Sequence, residues 1–137
     1  MDTLIDIFTD TYWQVGSPIP TNLPNFKLPI YNLILYFPAD KYLSKYIKRV
    51  YTFPNYLTPF DIYTLINDFY FEPISDSDLQ SYFSYINLYE SPSNSRILIR
   101  NLNSIQDPVR LDLMDEITTF NGFSPVYDGL AVNMISD

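Results

Sequence analysis

The sequence of 137 residues contains no histidine and no cysteine, and it has only three glycines. Without histidine or cysteine, the chain cannot form a His-based nucleophilic triad, a thiol nucleophile or a His/Cys zinc site. It also cannot form disulfides. The three isolated glycines, Gly16, Gly122 and Gly129, cannot build a glycine-rich loop that binds phosphate. The catalytic chemistry left open is that of carboxylates.

Basic residues are scarce as well, because eight Lys and Arg stand against sixteen Asp and Glu, for a formal charge of −8. This sign opposes direct binding to nucleic-acid phosphates or to an anionic membrane surface. The acids are scattered, with no run longer than two. An acidic decoy that captures a basic nucleic-acid-binding protein nevertheless stays open as an alternative.

Long hydrophobic runs are missing too. The longest apolar stretch, residues 30 to 37, is too short to cross a bilayer and contains Asn32. The first ten residues carry three aspartates and no basic residue, which argues against a secretory signal. No asparagine lies in an N-x-[ST] sequon. We therefore expect an intracellular protein, in the host cytoplasm or the virion if its source is viral.

Aromatic residues are abundant, with 13 Tyr, 10 Phe and 1 Trp. Tyrosine is enriched at protein interfaces because it has an apolar body and a polar tip. Successive helix positions lie about 100° apart, so the tyrosines between residues 82 and 89 cannot all face one core. The alternative is that tyrosine is amphipathic filler in an AT-rich lineage. The candidate interaction residues are Tyr12, Trp13, Tyr82, Tyr85 and Tyr89.

Proline dominates the beginning of the chain, with Pro18, Pro20, Pro24 and Pro29. Proline removes a backbone donor and restricts the preceding residue, which predicts an extended, irregular course over residues 16 to 29. Residues 2 to 13 are expected to form a short helix or an extended anchor. We therefore divide the chain into an N-terminal anchor and Pro-rich arm, residues 1–29, and a single domain, residues 30–137.

Two helices carry clear start signals. Thr58 is placed as an N-cap before Pro59, with Asp61 three residues later, and Ser75 with Asp78 repeats the same spacing. Pro73 and Pro92 bar continuation of the first and second helix. Residues 40 to 51 have apolar residues at helical spacing and predict a third, amphipathic helix, with a strand over residues 46–53 as the competing interpretation.

The C-terminal third predicts β-structure, with strands over residues 96–100 and 109–114. Asn121-Gly122 and Asp128-Gly129 are strong hairpin signals between β-type segments and predict a closing meander. The expected fold class is α+β: a single compact domain with two consecutive capped helices packed on a small antiparallel sheet with a C-terminal β-meander, preceded by a Pro-rich extended N-terminal arm.

The candidate carboxylate ligands for Mg²⁺ or Ca²⁺ are Asp112, Asp115 and Glu116. On a strand, Asp112 and Glu116 would share a face and Asp115 would point the other way. The alternative to a cation site is that these carboxylates form the polar face of a half-exposed strand. Asp76 and Asp78 lie in a first helical turn, where capping accounts for them. We expect no catalytic residue and no cofactor.

Two segments, LTPFDIYTLINDFYFEPIS (57–75) and RLDLMDEITTFNGF (110–123), resemble a small domain of unknown function found in fungal proteins and in proteins of large DNA viruses. The matching positions are Thr58, Asp61, Ile62, Leu65, Ile66, Pro73, Ile74, Ser75, Leu111, Asp112, Leu113, Phe120, Gly122 and Phe123. The chain departs from that pattern at Pro59 and at Asp115-Glu116. The resemblance covers about half of the chain, implies a compact α+β domain of viral origin, and carries no activity.

These features predict a non-enzymatic interaction module, or a structural or accessory protein of a large DNA virus, that acts through an aromatic-rich surface. The expected partner is another protein or a second copy of the chain in a homodimer. We expect neither a nucleic acid nor a membrane as a direct partner. The alternatives are a carboxylate-based enzyme or divalent-cation binder and the acidic decoy.

Overall fold

The computed structural model describes residues 2 to 136. Its strands are β1 Trp13–Gln14, β2 Asn32–Pro38, β3 Tyr46–Thr52, β4 Thr119–Val126 and β5 Gly129–Ile135. They form one five-stranded sheet in the order β1-β4-β5-β2-β3. The sheet is antiparallel except for the parallel pair β2–β5. Helices and strands together give the α+β class that the sequence predicts. The helices are α1 Asp2–Ile7, α2 Pro59–Tyr70, α3 Asp76–Tyr89, α4 Pro92–Asn103 and a 3₁₀ helix, Arg110–Leu113.

One face of the sheet carries the main core. Successive strand residues point to opposite faces, so alternate residues of β2 and β5 are buried. Helix α2 adds Ile62, Ile66 and Phe69 to the same core. The rings of Phe37 and Phe69 stack with centroids 4.0 Å apart. The core residues of these two strands are Leu33, Leu35, Phe37, Leu130, Val132 and Met134.

Fully buried residues of the N-terminal segment lie in this core as far as Val15, and Ile19, Leu23 and Leu28 pack against it half-buried. Leu4 and Phe8 are buried, and the Phe8 ring lies edge-on to Phe123 at 5.5 Å. Side chains between residues 4 and 28 thus pack on the same core as residues 30–137. Residues 16 to 29 run irregularly, as the prolines predict, and an isolated bridge joins Leu28 to Leu57.

The predicted helix starts are confirmed at both caps. The Thr58 hydroxyl accepts from the Asp61 amide and the Asp61 carboxylate accepts from the Thr58 amide, which together form a capping box. Ser75 caps α3 by accepting from the Asp78 amide. A second, smaller core lies between α3 and α4. None of the helices formed by residues 2 to 136 is long and apolar enough to cross a membrane.

Three predicted elements are wrong. Residues 40 to 51 do not form a helix, and the competing strand is correct, because β3 pairs along its whole length with β2. Residues 96–100 lie in α4, which Ser91 caps and Pro92 begins, so this proline starts a helix in addition to ending one. Residues 109–114 do not form the expected strand but contain the 3₁₀ helix Arg110–Leu113, at whose start the Asp112 carboxylate accepts from the Val109 amide.

The C-terminal meander is a single hairpin, β4–β5, that turns at Tyr127-Asp128. Asn121-Gly122, expected to be a second turn, lies inside β4 at a shift of register between Phe120 and Phe123. Gly122 has φ of 100°, and a Cβ there would lie 2.8 Å from the Phe8 carbonyl oxygen. A glycine is therefore required by a β-bulge and by close packing against the end of α1.

Candidate functional site

The second face of the sheet carries side chains that remain exposed or half-buried, and we call this set the open face. It alternates with the buried residues along each strand, which places it opposite the helices. Its members are Ile34 and Tyr36 of β2, Tyr46, Lys48, Val50 and Thr52 of β3, Ser124 and Val126 of β4, and Ala131, Asn133 and Ile135 of β5.

A groove of about 440 Å³ crosses one end of the open face. Three tyrosines form much of its wall, and the Tyr127 side chain at the tip of the β4–β5 hairpin is fully exposed. A neighbouring concavity of about 280 Å³ shares Tyr46 as a wall. The groove is lined by Tyr36, Tyr46, Val126, Tyr127, Asp128 and Ala131.

A hydrogen-bonded triad at the edge of the groove holds Tyr36 in place. The Tyr36 hydroxyl donates to Asp128 Oδ1 at 2.6 Å, and Lys48 Nζ donates to Asp128 Oδ2 at 3.0 Å. These two hydrogen bonds lower the pKa of Asp128. The same bonds to Asp128 raise the pKa of Tyr36 and of Lys48. Near neutral pH the triad is therefore a neutral tyrosine, a carboxylate and an ammonium group, and the Lys48 charge is compensated within the chain.

Strand β3 lies at the edge of the sheet. The amide of Ala39 donates to Lys45 and the amide of Phe53 donates to Tyr31, so odd-numbered residues of this segment bond towards β2. In an antiparallel pair, successive residues direct their backbone N–H and C=O groups alternately towards the partner strand and away from it. The backbone groups of the even-numbered residues therefore point away from the sheet, and these residues are Tyr46, Lys48, Val50 and Thr52. Within residues 2 to 136 no strand pairs with this outer edge.

The charged side chains of β3 cover only one backbone group of its outer edge, because Arg49 Nη1 donates to the Lys48 carbonyl oxygen at 3.4 Å. Lys48 bends over the open face to Asp128, and Arg49 bends over the helix side to Glu72 Oε1 at 3.0 Å. Edge strands are commonly protected by charged side chains, lysine above all. Here both charges are paired within the chain, and Val50 beside them is 60% exposed.

An ion-pair cluster fixes β3 against the helices. Arg110 donates to Asp78 at 2.7 Å and to Glu72 at 3.4 Å, and Lys45 donates to Asp78 at 3.0 Å. Burial opposes the charge of Asp78, but the hydrogen bonds from Arg110, Ser75 and Lys45 prevail and lower its pKa to about 2. Because Glu72 also pairs with Arg49, the cluster draws the Arg49 side chain towards the helices.

The structure separates the five predicted interaction residues. Tyr12 and Tyr89 are exposed, at 69% and 56%, and Tyr85 is half-buried against Tyr89. Trp13 and Tyr82 are buried, with only 5% and 4% of their surface exposed, so they are core residues and not surface residues. Trp13 points inward because β1 pairs with β4, and its ring lies edge-on to Tyr63. Tyr82 fills the small core of α3 and α4, where burial raises its pKa to about 12.

The predicted carboxylate site is not assembled. Asp112 caps the 3₁₀ helix, Asp115 pairs with Lys41 at 3.5 Å, and Glu116 lies exposed in the following turn. The shared strand face expected for Asp112 and Glu116 does not exist, because the segment is helical at Asp112. In the described part of the chain, no group of three carboxylates is arranged to hold a metal ion.

The sequence interpretation missed Tyr36, Val50 and Tyr127 as surface candidates. For Val50 the signal is the run of β-branched and aromatic residues in YIKRVYT (46–52), which the helical interpretation set aside, and for Tyr127 it is the adjacent Asp128-Gly129 turn. In comparisons with protein-family models, curated proteins and solved structures, nothing matches this chain.

Proposed function

We propose that this chain is a non-enzymatic protein-interaction module that accepts an extended segment of a protein partner along the outer edge of β3. The single observation that carries the proposal is the uncovered edge of β3, which directly adjoins the aromatic groove of the open face. Unpaired backbone donors and acceptors on an edge strand are complementary to another extended backbone.

The outer edge of β3 provides affinity for the partner, and the groove of the open face provides selectivity. The outward N–H and C=O groups of β3 supply hydrogen bonds that depend little on the sequence of the partner. The tyrosines of the groove then select for an apolar or aromatic side chain, because each offers a large ring surface and a polar tip. Tyr46 belongs to both parts, since it lies on β3 and lines the groove.

Charge supports a protein partner over a nucleic acid. The chain carries a formal charge of −8, and both basic residues of β3 are paired with carboxylates of their own chain. Binding to phosphates needs free Lys and Arg along the contact surface. The origin in a large DNA virus, the structural or accessory role and the intracellular location belong to the same proposal and rest on the sequence.

Selection from a library of random displayed peptides tests the proposal. We expect enriched peptides to bind the wild-type chain at least tenfold more tightly than the variant Ala131→Trp, because a tryptophan at the floor of the groove fills it. The matched control is Tyr12→Ala, which removes an exposed ring outside the open face and should leave binding unchanged. No enrichment, or equal binding to Ala131→Trp, contradicts the proposal.

A further inference from the structure

We infer that the extended segment accepted at this edge is β3 of a second copy of the chain, so that two copies form a dimer with a two-fold axis at Val50. The inference rests on the proposed function and names its partner. It is carried by the self-complementarity of β3, which appears when the strand is laid antiparallel against itself.

The residues with outward backbone groups are Tyr46, Lys48, Val50 and Thr52, so only these can exchange hydrogen bonds across the new pair. When β3 of one copy pairs antiparallel with β3 of a second copy about a two-fold axis, three registers pair most of the residues of the strand. One places Lys48 opposite itself and another places Arg49 opposite itself. Like charges directly opposite are destabilising in antiparallel pairs. The third register places Val50 opposite itself and brings no like charges together.

The Val50-centred register also gives favourable neighbours on both faces. On the open face it sets Lys48 opposite Thr52. On the helix side it sets Arg49 opposite the uncharged Tyr51, while the Arg49 guanidinium stays over Phe69 of its own chain. Ile47 comes opposite Phe53 on the same side, and both of these apolar residues are half-buried in the single chain. The dimer therefore covers Val50, Ile47 and Phe53 without separating any ion pair.

The axis of such a pair is perpendicular to the sheet, so the two sheets join into one continuous sheet. Both open faces then lie on the same side of it, and both sets of helices lie on the other. The groove of each copy stays open because Val126, Tyr127 and Ala131 lie away from β3, on β4, β5 and their hairpin. Dimerisation and occupation of the groove are thus compatible.

The substitution Val50→Pro tests the edge without disturbing the pairing of β3 with β2. Proline removes the outward N–H of residue 50, and prolines are tolerated on edge strands whose N–H faces solvent. We expect light scattering to give twice the mass of 16.1 kDa for the wild type. We expect Val50→Pro to weaken the dimer at least tenfold. The control is Tyr12→Ala, at an exposed residue outside the open face, and this variant should remain dimeric.

Disulfide trapping tests the register independently of folding effects, because the chain has no cysteine of its own. Directly opposite residues of a hydrogen-bonded pair have Cα atoms about 5.5 Å apart, within the range that a disulfide spans. Mild oxidation should link Val50→Cys into a covalent dimer quickly. Val126→Cys, equally placed on the open face but far from the axis, should stay monomeric in denaturing gels.

The outcomes separate this inference from the proposed function. A wild-type chain that is monomeric at all concentrations, or a dimer that Val50→Pro leaves intact, overturns the inference. Failure of Val50→Cys to cross-link in a confirmed dimer overturns the register. If the inference fails while selected peptides still bind the wild type and lose affinity for Ala131→Trp, the proposed function stands with another partner.

Discussion

Replacing Asp78 by asparagine breaks the ion pair with the least exposed side chains in the described part of the chain. The side chains of Arg110 and Asp78 are only 6% and 13% exposed, and their closest atoms lie 2.7 Å apart. Asparagine keeps the size of the side chain and an oxygen for Ser75, but it removes the charge. Arg110 retains Glu72 at 3.4 Å, so its own charge is not left fully uncompensated. The substitution should therefore lower the free energy of unfolding by about 2–3 kcal/mol, which is less than the 3–5 kcal/mol typical of a broken buried ion pair.

The pKa of Asp78 gives a second route to the same magnitude. It is about 2 in the folded chain against an ordinary value of 3.8. This lowering of the pKa by nearly two units corresponds to about 2–3 kcal/mol of folding free energy. Because folding lowers this pKa, the stabilisation is complete above the unfolded value. It is lost as the pH falls from about 5 towards the folded value of about 2.

Urea unfolding of the wild type and of Asp78→Asn between neutral pH and pH 2 measures both effects. The variant should be less stable by about 2–3 kcal/mol at neutral pH, and the difference should shrink as the pH falls from about 5. The matched control is Asp76→Asn, which removes an exposed carboxylate from the same helical turn. The control substitution should lower the free energy of unfolding by about 0.3–1 kcal/mol. A difference between wild type and Asp78→Asn that stays constant down to pH 2 would refute the reasoning.

The remaining predictions concern the turn, the cap and the carboxylates. Gly129→Ala should lower the free energy of unfolding in urea by about 1–3 kcal/mol, because its Cβ would lie 2.3 Å from the Ile34 carbonyl oxygen. A fully stable variant would contradict that contact. Thr58→Ala should cost about 1 kcal/mol in the same assay through loss of the α2 cap. The thermal midpoints of the wild type and of Asp112→Asn should not respond to millimolar Mg²⁺ or Ca²⁺. A rise in the wild type alone would favour the cation-binding alternative.

The helix caps could be predicted because their signals are local. Thr58, Pro59 and Asp61 determine the start of α2 through hydrogen bonds within one turn, whatever the rest of the chain does. The same holds for Ser75 and Asp78. Ser91-Pro92 is an equally local signal for α4, which the expectation of a strand over residues 96–100 overlooked.

The strands depended on partners that are distant in sequence. Residues 46 to 52 have apolar residues at helical spacing and are also rich in β-branched and aromatic residues, and pairing with β2 decides between helix and strand. Gly122 has the sequence signature of a tight turn, yet packing of the Phe8 carbonyl against it makes it a bulge within β4. The groove could not be predicted, because it joins Tyr36, Tyr46 and Tyr127 from three separate segments.

The most direct test of strand addition at β3 is amide hydrogen exchange, resolved by residue in NMR spectra at increasing concentrations of the chain. The odd-numbered residues Ile47, Arg49 and Tyr51 bond to β2 and serve as controls within the same strand. We expect slow exchange for these amides at every concentration. The amides of Tyr46, Lys48, Val50 and Thr52 should exchange quickly in dilute solution and slow down as the concentration rises. If these even-numbered amides keep exchanging quickly, both in concentrated solution and with a saturating selected peptide, β3 is not the binding edge.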